Sequence, residues 1–258
     1  MLIYHIIGSH FTIQNDEKKD FYAMTDDASY STDNILDKAL EIVQKPSEPP
    51  KARMDAILFI IDQFDAKFFA IFENILNDPE EHPDVRSAAA LALGRIGGDK
   101  ALTLLTSHAN DEDVTVKNYT MQALGALKRP EGIPYLLEAL KDDNNTIFAS
   151  AAEALGQIGR PVVPHLIELL ATGADDAKCI AAWQLGQLRY IEAIPALLKA
   201  IQNEDNPDLV ALAIWALGEI GMGEENVLEV LNRAKRHEDP AIHQRAERAM
   251  KKIARHVN

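Results

Sequence analysis

The sequence predicts an all-α chain, a right-handed α-solenoid of about seven short helix pairs. Two observations carry that prediction. Leu-Gly pairs fall at 93/94, 124/125, 155/156, 185/186 and 217/218, at spacings of 31, 31, 30 and 32 residues, and a fixed period of this size is the signature of a repeat architecture. Aligned on those glycines, DVRSAAALALGRIG, TVKNYTMQALGALK, TIFASAAEALGQIG, DAKCIAAWQLGQLR and DLVALAIWALGEIG are versions of one helix, and AIHQRAERAMKKIA is a sixth, with Lys251 where the glycine would be.

Each copy follows a second apolar segment, and the elements can be justified in order. ILDKALEIVQ and ARMDAILFIIDQF form a first pair across the PSEPP turn, and AKFFAIFENILND precedes the copy that begins at Asp84. KALTLLTSHA, EGIPYLLEAL, PVVPHLIELL, EAIPALLKAI and ENVLEVLNRA then precede the remaining copies. Three of them carry a proline at the same point, Pro134, Pro164 and Pro195, which suits a first helical turn, where the missing N–H would have no partner anyway. The links NDED, KDDNN, GADD and NEDNPD supply N-cap oxygens for the second helices. Gly97, Gly159 and Gly221 end second helices as left-handed C-caps. A single pair cannot bury its apolar face, so neighbours must stack. Residues 31–258 are therefore expected to form one repeat domain. Residues 1–30 stand outside the period, weakly patterned and expected to be poorly ordered, and a start of translation at Met24 is as consistent with this break as one at Met1.

Composition excludes several function classes. Forty acidic against 26 basic residues give a net charge of −14, which argues against nucleic acid as a partner, because phosphate binding needs clustered positive charge. The charge is uneven: Asn232 to Asn258 hold eight Lys/Arg and three acids, leaving 18 basic and 37 acidic residues before them. That basic end reads as a solvated terminal helix or as a docking patch. A single cysteine allows no intramolecular disulfide and fits a reducing, cytoplasmic compartment. No apolar run is long enough to span a membrane.

Helical periodicity separates core from candidate surface. With about 100° per residue from Val85, the residues Ala89, Ala92, Leu93 and Ile96 share one stripe. Leu91 and Ser87 fall nearly opposite it. The column of Leu91 reads Leu91, Gln122, Glu153, Trp183, Trp215, Arg248; that of Ser87 reads Ser87, Asn118, Ala149, Cys179, Ala211, Gln244; and a third reads Arg95, Ala126, Gln157, Gln187, Glu219, Lys252. Variable columns on a constant scaffold are how a solenoid presents a binding surface. The candidate partner-binding residues are thus Leu91, Arg95, Gln122, Glu153, Trp183, Gln187, Trp215 and Glu219. Trp183 and Trp215 share a column in adjacent repeats, as an interface anchor or as packing between repeats. Cys179 is a candidate thiol contact, although Lys178 is the only cation nearby and an inert small side chain is the simpler reading.

The pattern IPxLLxAL, a short acidic turn and xVRxxAAxALGxIG, matched closely by EAIPALLKAIQNEDNPDLVALAIWALGEIG, resembles the HEAT-like repeat of the phycobilisome-lyase type over residues 66–256. Proteins of that type include E/F-type bilin lyase subunits, a phycobilisome-degradation protein and a scaffold of iron-sulfur cluster assembly. The resemblance is specific for the fold and unspecific for function, and the ridge of the second helices containing Trp183 and Trp215 leads to the expectation of a non-catalytic, chaperone-like protein-binding adaptor without a cofactor. Its alternatives are a lyase subunit handling phycocyanobilin, with a phycobiliprotein or a second HEAT-like chain as partner, and an iron-sulfur assembly scaffold. A di-iron hydroxylase of deoxyhypusine resembles the chain in fold too, but relies on several His-Glu pairs, of which only His237-Glu238 is present here. The histidines form no H-E-x-x-H, and no Gly-rich phosphate loop or G-x-S-x-G elbow occurs. No catalytic residue or metal ligand is therefore expected.

Overall fold

The computed structural model describes residues 32–61, 66–203, 205–221 and 223–257. The expectations for residues 1–30, including the start at Met24, lie outside them. The described residues are helical without a strand and form seven pairs. These are α1 (Thr32–Gln44) with α2 (Pro50–Ile61), α3 (Phe69–Asn77) with α4 (Pro83–Ile96), and α5 (Gly98–Ser107) with α6 (Val114–Leu127). Then come α7 (Ile133–Ala139) with α8 (Asn145–Ile158), α9 (Val163–Thr172) with α10 (Asp175–Leu188), α11 (Ile194–Asn203) with α12 (Pro207–Ile220), and α13 (Glu225–Ala234) with α14 (Pro240–Val257). They fall into two compact units that divide between Ile158 and Gly159. The N-terminal unit holds α1 to α8 and the C-terminal unit α9 to α14.

Within each unit the second helices stack on one another, α4 on α6 and α6 on α8 in the first, α10 on α12 and α12 on α14 in the second. The Leu-Gly glycines make this stacking possible. A Cβ on Gly94 would lie 2.8 Å from the Cα of Ala123, one on Gly125 2.7 Å from that of Ala154, and one on Gly218 2.7 Å from that of Ala249. Each glycine thus lets the backbone of the next second helix approach, and the alanine column meets it. The leucine beside each glycine points the other way, into the pair: Leu93, Leu124, Leu155 and Leu185 are fully buried.

A ladder of partly buried ion pairs ties the repeats of the N-terminal unit. Arg53 donates through Nε to the carbonyl of Val43, at the end of its own first helix, and reaches Glu81 at 2.7 Å. Arg86 repeats the device, with Nε on the carbonyl of Leu76 and both terminal nitrogens on Asp111, at 3.2 and 2.7 Å. Lys117 pairs with Asp142. Together with the backbone N–H of Asn144 it holds the Asp142 carboxyl below the usual carboxylate range. Phe148, next in the column and buried, ends the ladder.

The helix ends follow the expected chemistry with two differences. Asp113, Asn144 and Asn206 accept backbone N–H bonds at the starts of α6, α8 and α12. The GADD link, however, supplies no side-chain cap: α10 begins after Ala174, with Asp175 and Asp176 in its first turn complementing the helix dipole. At the other ends, Gly221 is left-handed (φ 76°, ψ 13°), but Gly97 and Gly159 combine a positive φ with ψ of −166° and −138°. That extended region is open almost only to glycine, because the chain there turns straight into the next helix. Lys128 and Arg189 hold the left-handed position without being glycine, at φ 52° and 56°. Lys128→Gly removes the Cβ clash of that conformation and is expected to raise stability by about 1 kcal/mol, read as a higher urea midpoint.

Candidate functional site

The stacking decides where the candidate columns lie. Seven residues advance about 700°, so the Ser87 column stands within about 20° of the Leu-Gly glycines and shares their face. Ser87, Asn118, Cys179 and Ala211 are accordingly buried. Cys179, 1% exposed, does not present its thiol to a partner, so the candidate thiol contact does not hold, and the burial fits an inert small side chain. A second helix buries two faces, one against its own first helix and one against the next repeat, and periodicity from Val85 marks only the first.

In the N-terminal unit the remaining candidates lie apart from one another in character. Leu91 is half-buried, Arg95 is exposed, and Gln122 is half-buried with Nε2 donating to Ser150 at 3.4 Å. Glu153 is exposed and accepts from Gln157.

In the C-terminal unit the arrangement is more specific. Gln187 is exposed, while Trp183 and Trp215 are half-buried. The Trp215 ring lies on α10, its Cζ3 at 2.6 Å from where a Cβ of Gly186 would stand. Trp215 is thus packing toward the preceding repeat on one side. Its other side lines a cleft of about 430 Å³ between α12 and α14, together with Gly218, Glu219, Gln244, Arg245, Arg248 and Lys252. Glu219 sits in that wall between two cations, 2.7 Å from Arg189 and ion-paired with Lys252. Burial pushes its carboxyl up, but the hydrogen bonds from Lys252 and Arg189 outweigh this and leave it below the usual range. The carboxylate is therefore charged and doubly engaged, a structural brace more than an open ligand.

The structure thus brings Trp215 and Glu219 together with Gln244, Arg245, Arg248 and Lys252. The basic run of the last helix was the sequence signal for the three cations. Arg189 had none, since its role depends on a left-handed helix end that aims it at Glu219. Among the described residues no group of three His, Cys, Asp or Glu side chains converges as a metal site would, and no helix is long and apolar enough to cross a membrane.

Stacked helix pairs held by a Gly/Ala seam, with a variable ridge of side chains, define a helical-repeat protein of the α-solenoid class. The chain belongs to the family of HEAT repeats, whose model matches residues 36–118, 108–178 and 163–251. It is 30% identical over 171 residues to the uncharacterized phycocyanin operon protein Z of Pseudanabaena tenuis (strain PCC 7409), across 62% of this chain and 82% of that protein. The resemblance to the phycobilisome-lyase type of repeat agrees with that match. The deoxyhypusine hydroxylase of Rattus norvegicus is 30% identical over 99 residues, 38% of this chain and only 33% of the enzyme. Among solved structures, the archaeal HEAT-like repeats protein of Thermococcus onnurineus NA1 shares the fold, with a TM-score of 0.56 at 14% identity over 86% of this chain and 98% of its own.

Proposed function

We propose that the chain is a non-catalytic scaffold, without a cofactor of its own, that holds a protein partner on the second-helix ridge of its C-terminal unit. The observation that carries this reading is the position of Trp215, braced on Gly186 by one side and open to the α12–α14 cleft by the other. A rigid, half-exposed tryptophan is the residue type that most often anchors an interface. The identity to a phycocyanin operon protein makes a phycobiliprotein the first partner to test, and a second HEAT-like chain the next.

Titration of the chain with apo-phycocyanin, followed by calorimetry, tests the reading. Trp215→Ala is expected to weaken binding by at least tenfold, as truncation of an anchor does. It also removes the contact with Gly186 and so lowers the melting temperature. Trp215→Phe keeps an aromatic ring on α10 and separates the two effects. Binding of every variant at full strength would sink the scaffold reading for this ridge.

The same relative favours a second reading, a subunit of a bilin lyase that handles phycocyanobilin. Incubation with phycocyanobilin, apo-phycocyanin and a candidate second HEAT-like chain then yields a covalently attached bilin seen by visible absorbance after denaturation. If no bilin attaches beyond the uncatalysed background, that reading is discarded and the scaffold reading is untouched.

A further inference from the structure

We infer that Arg189, Glu219 and Lys252 form a latch that presets the seat of Trp215, so that ionic strength tunes the anchor through the chain itself. The inference rests on the scaffold reading and concerns the regulation of that same ridge. On that reading the partner meets Trp215, and the three latch residues are positioning residues behind it.

Glu219 stands one turn beyond Trp215 on α12, at i+4, so the two side chains share a face. The Trp215 ring reaches back over α10 at Gly186. Arg189, three residues further at the end of α10, reaches forward to Glu219 at 2.7 Å. Ring and ion pair thus cross the same seam in opposite directions. Lys252 approaches the same carboxylate from α14. One carboxylate therefore ties the C-terminal ends of three successive second helices, in the wall of the cleft onto which the other side of the ring opens. The Glu219 side chain is only 14% exposed, so it depends on these two cations more than on water.

Two further observations set this repeat apart. Arg189 holds a left-handed backbone, φ 56°, where α12 ends in a glycine, Gly221. That conformation costs a non-glycine residue free energy, and here it aims the guanidinium at Glu219. Elsewhere in the Glu219 column Ala126, Gln157 and Gln187 carry no charge, so no carboxylate stands there to be shared between repeats.

The latch sits at a wet edge. The Arg189 side chain is 57% exposed and that of Lys252 34%, so dissolved salt screens both pairs. The contacts that space the backbones, Gly186 with Ala216 and Gly218 with Ala249, involve no charge and are not screened. Salt accordingly loosens the seat of the ring while the helices stay stacked.

The test uses the full chain with Trp183→Phe, in which Trp215 is the sole tryptophan, and reads its anisotropy and its quenching by uncharged acrylamide. Added sodium chloride is expected to raise quenching and lower anisotropy. Arg189→Gly and Glu219→Gln are expected to do the same at low salt and to abolish the salt response, and Arg189→Lys to restore part of it. The urea midpoint of Arg189→Gly is expected to be equal or higher, because glycine relieves the left-handed backbone. A looser ring in that variant is then not the result of unfolding.

Unchanged quenching in both Arg189→Gly and Glu219→Gln, or a salt response that persists in both, overturns the inference. With Trp183 retained, Arg189→Gly is expected to bind apo-phycocyanin about threefold more weakly, as when the seated ring falls to about a third of the molecules. Equal affinity despite a loosened ring also overturns it, since the latch would then not serve the ridge. The two readings fail separately, because the fluorescence needs no partner. A latch that responds as expected in a chain that does not bind apo-phycocyanin upholds the preset seat and counts against the scaffold reading.

Discussion

Gly125→Leu is expected to destabilise the N-terminal unit by roughly 3 kcal/mol or more, at the upper end for overpacking of a tight contact. In an isolated helix the substitution would be favourable, because glycine is among the weakest helix formers. Here a Cβ alone would lie 2.7 Å from both the Cα and the Cβ of Ala154. Neither atom belongs to a flexible side chain end, so α6 and α8 must separate along their whole seam. Ala126→Leu, one residue on and exposed, adds the same side chain without the clash and is expected to change stability by less than about 0.5 kcal/mol. Urea unfolding followed by circular dichroism compares the two. Equal midpoints would mean that the glycines are not what sets the spacing of the repeats.

Arg86→Met is expected to cost about 3 to 5 kcal/mol, the range for removing one partner of a buried pair. The side chains of Arg86 and Asp111 are only 11% and 9% exposed. Methionine fills the stem of the arginine but leaves Asp111 charged and poorly solvated, and leaves the carbonyl of Leu76 without the Nε donor. Adding Asp111→Asn removes the stranded charge, and the double variant is expected to recover much of the loss. A cycle of Arg86→Met, Asp111→Asn and both, measured by urea unfolding, gives the coupling energy directly. A coupling near zero would reduce the ladder to a surface decoration. Arg86→Lys is expected to fall between, since lysine can reach one acid, as Lys117 does with Asp142, but cannot also bond the helix end.

Much of this architecture was legible in advance, and the reasons are local. The period of the Leu-Gly pairs, the prolines at first turns and the Asp or Asn caps are each set within a few residues, so the seven pairs could be delimited without coordinates. The errors arose where a residue's role depends on a helix far along the chain. Cys179 and Ser87 are buried although they lie opposite the pair's own stripe, because periodicity within one helix shows only which residues share a side, not how many sides are covered. The same limit applies to Trp215. Periodicity sets its column apart from the pair's own core, but only the neighbouring Gly186 makes it half packing and half surface.

By itself, then, the sequence determined the helical class, the register of the repeats and the uneven charge that ends in a basic last helix. These follow from backbone propensity, apolar spacing and composition, all properties of contiguous residues. Tertiary structure alone decided that the Leu-Gly glycines are a seam for backbone approach, that Arg53, Arg86 and Lys117 lock one repeat to the next, and that Trp215 shares a cleft with Arg245, Arg248 and Lys252. Each of these joins residues far apart in the chain, 25 positions for Arg86 with Asp111 and for Lys117 with Asp142. Their meeting depends on how closely two helices pack, a distance fixed by the absence of a Cβ and written in no single segment of the chain.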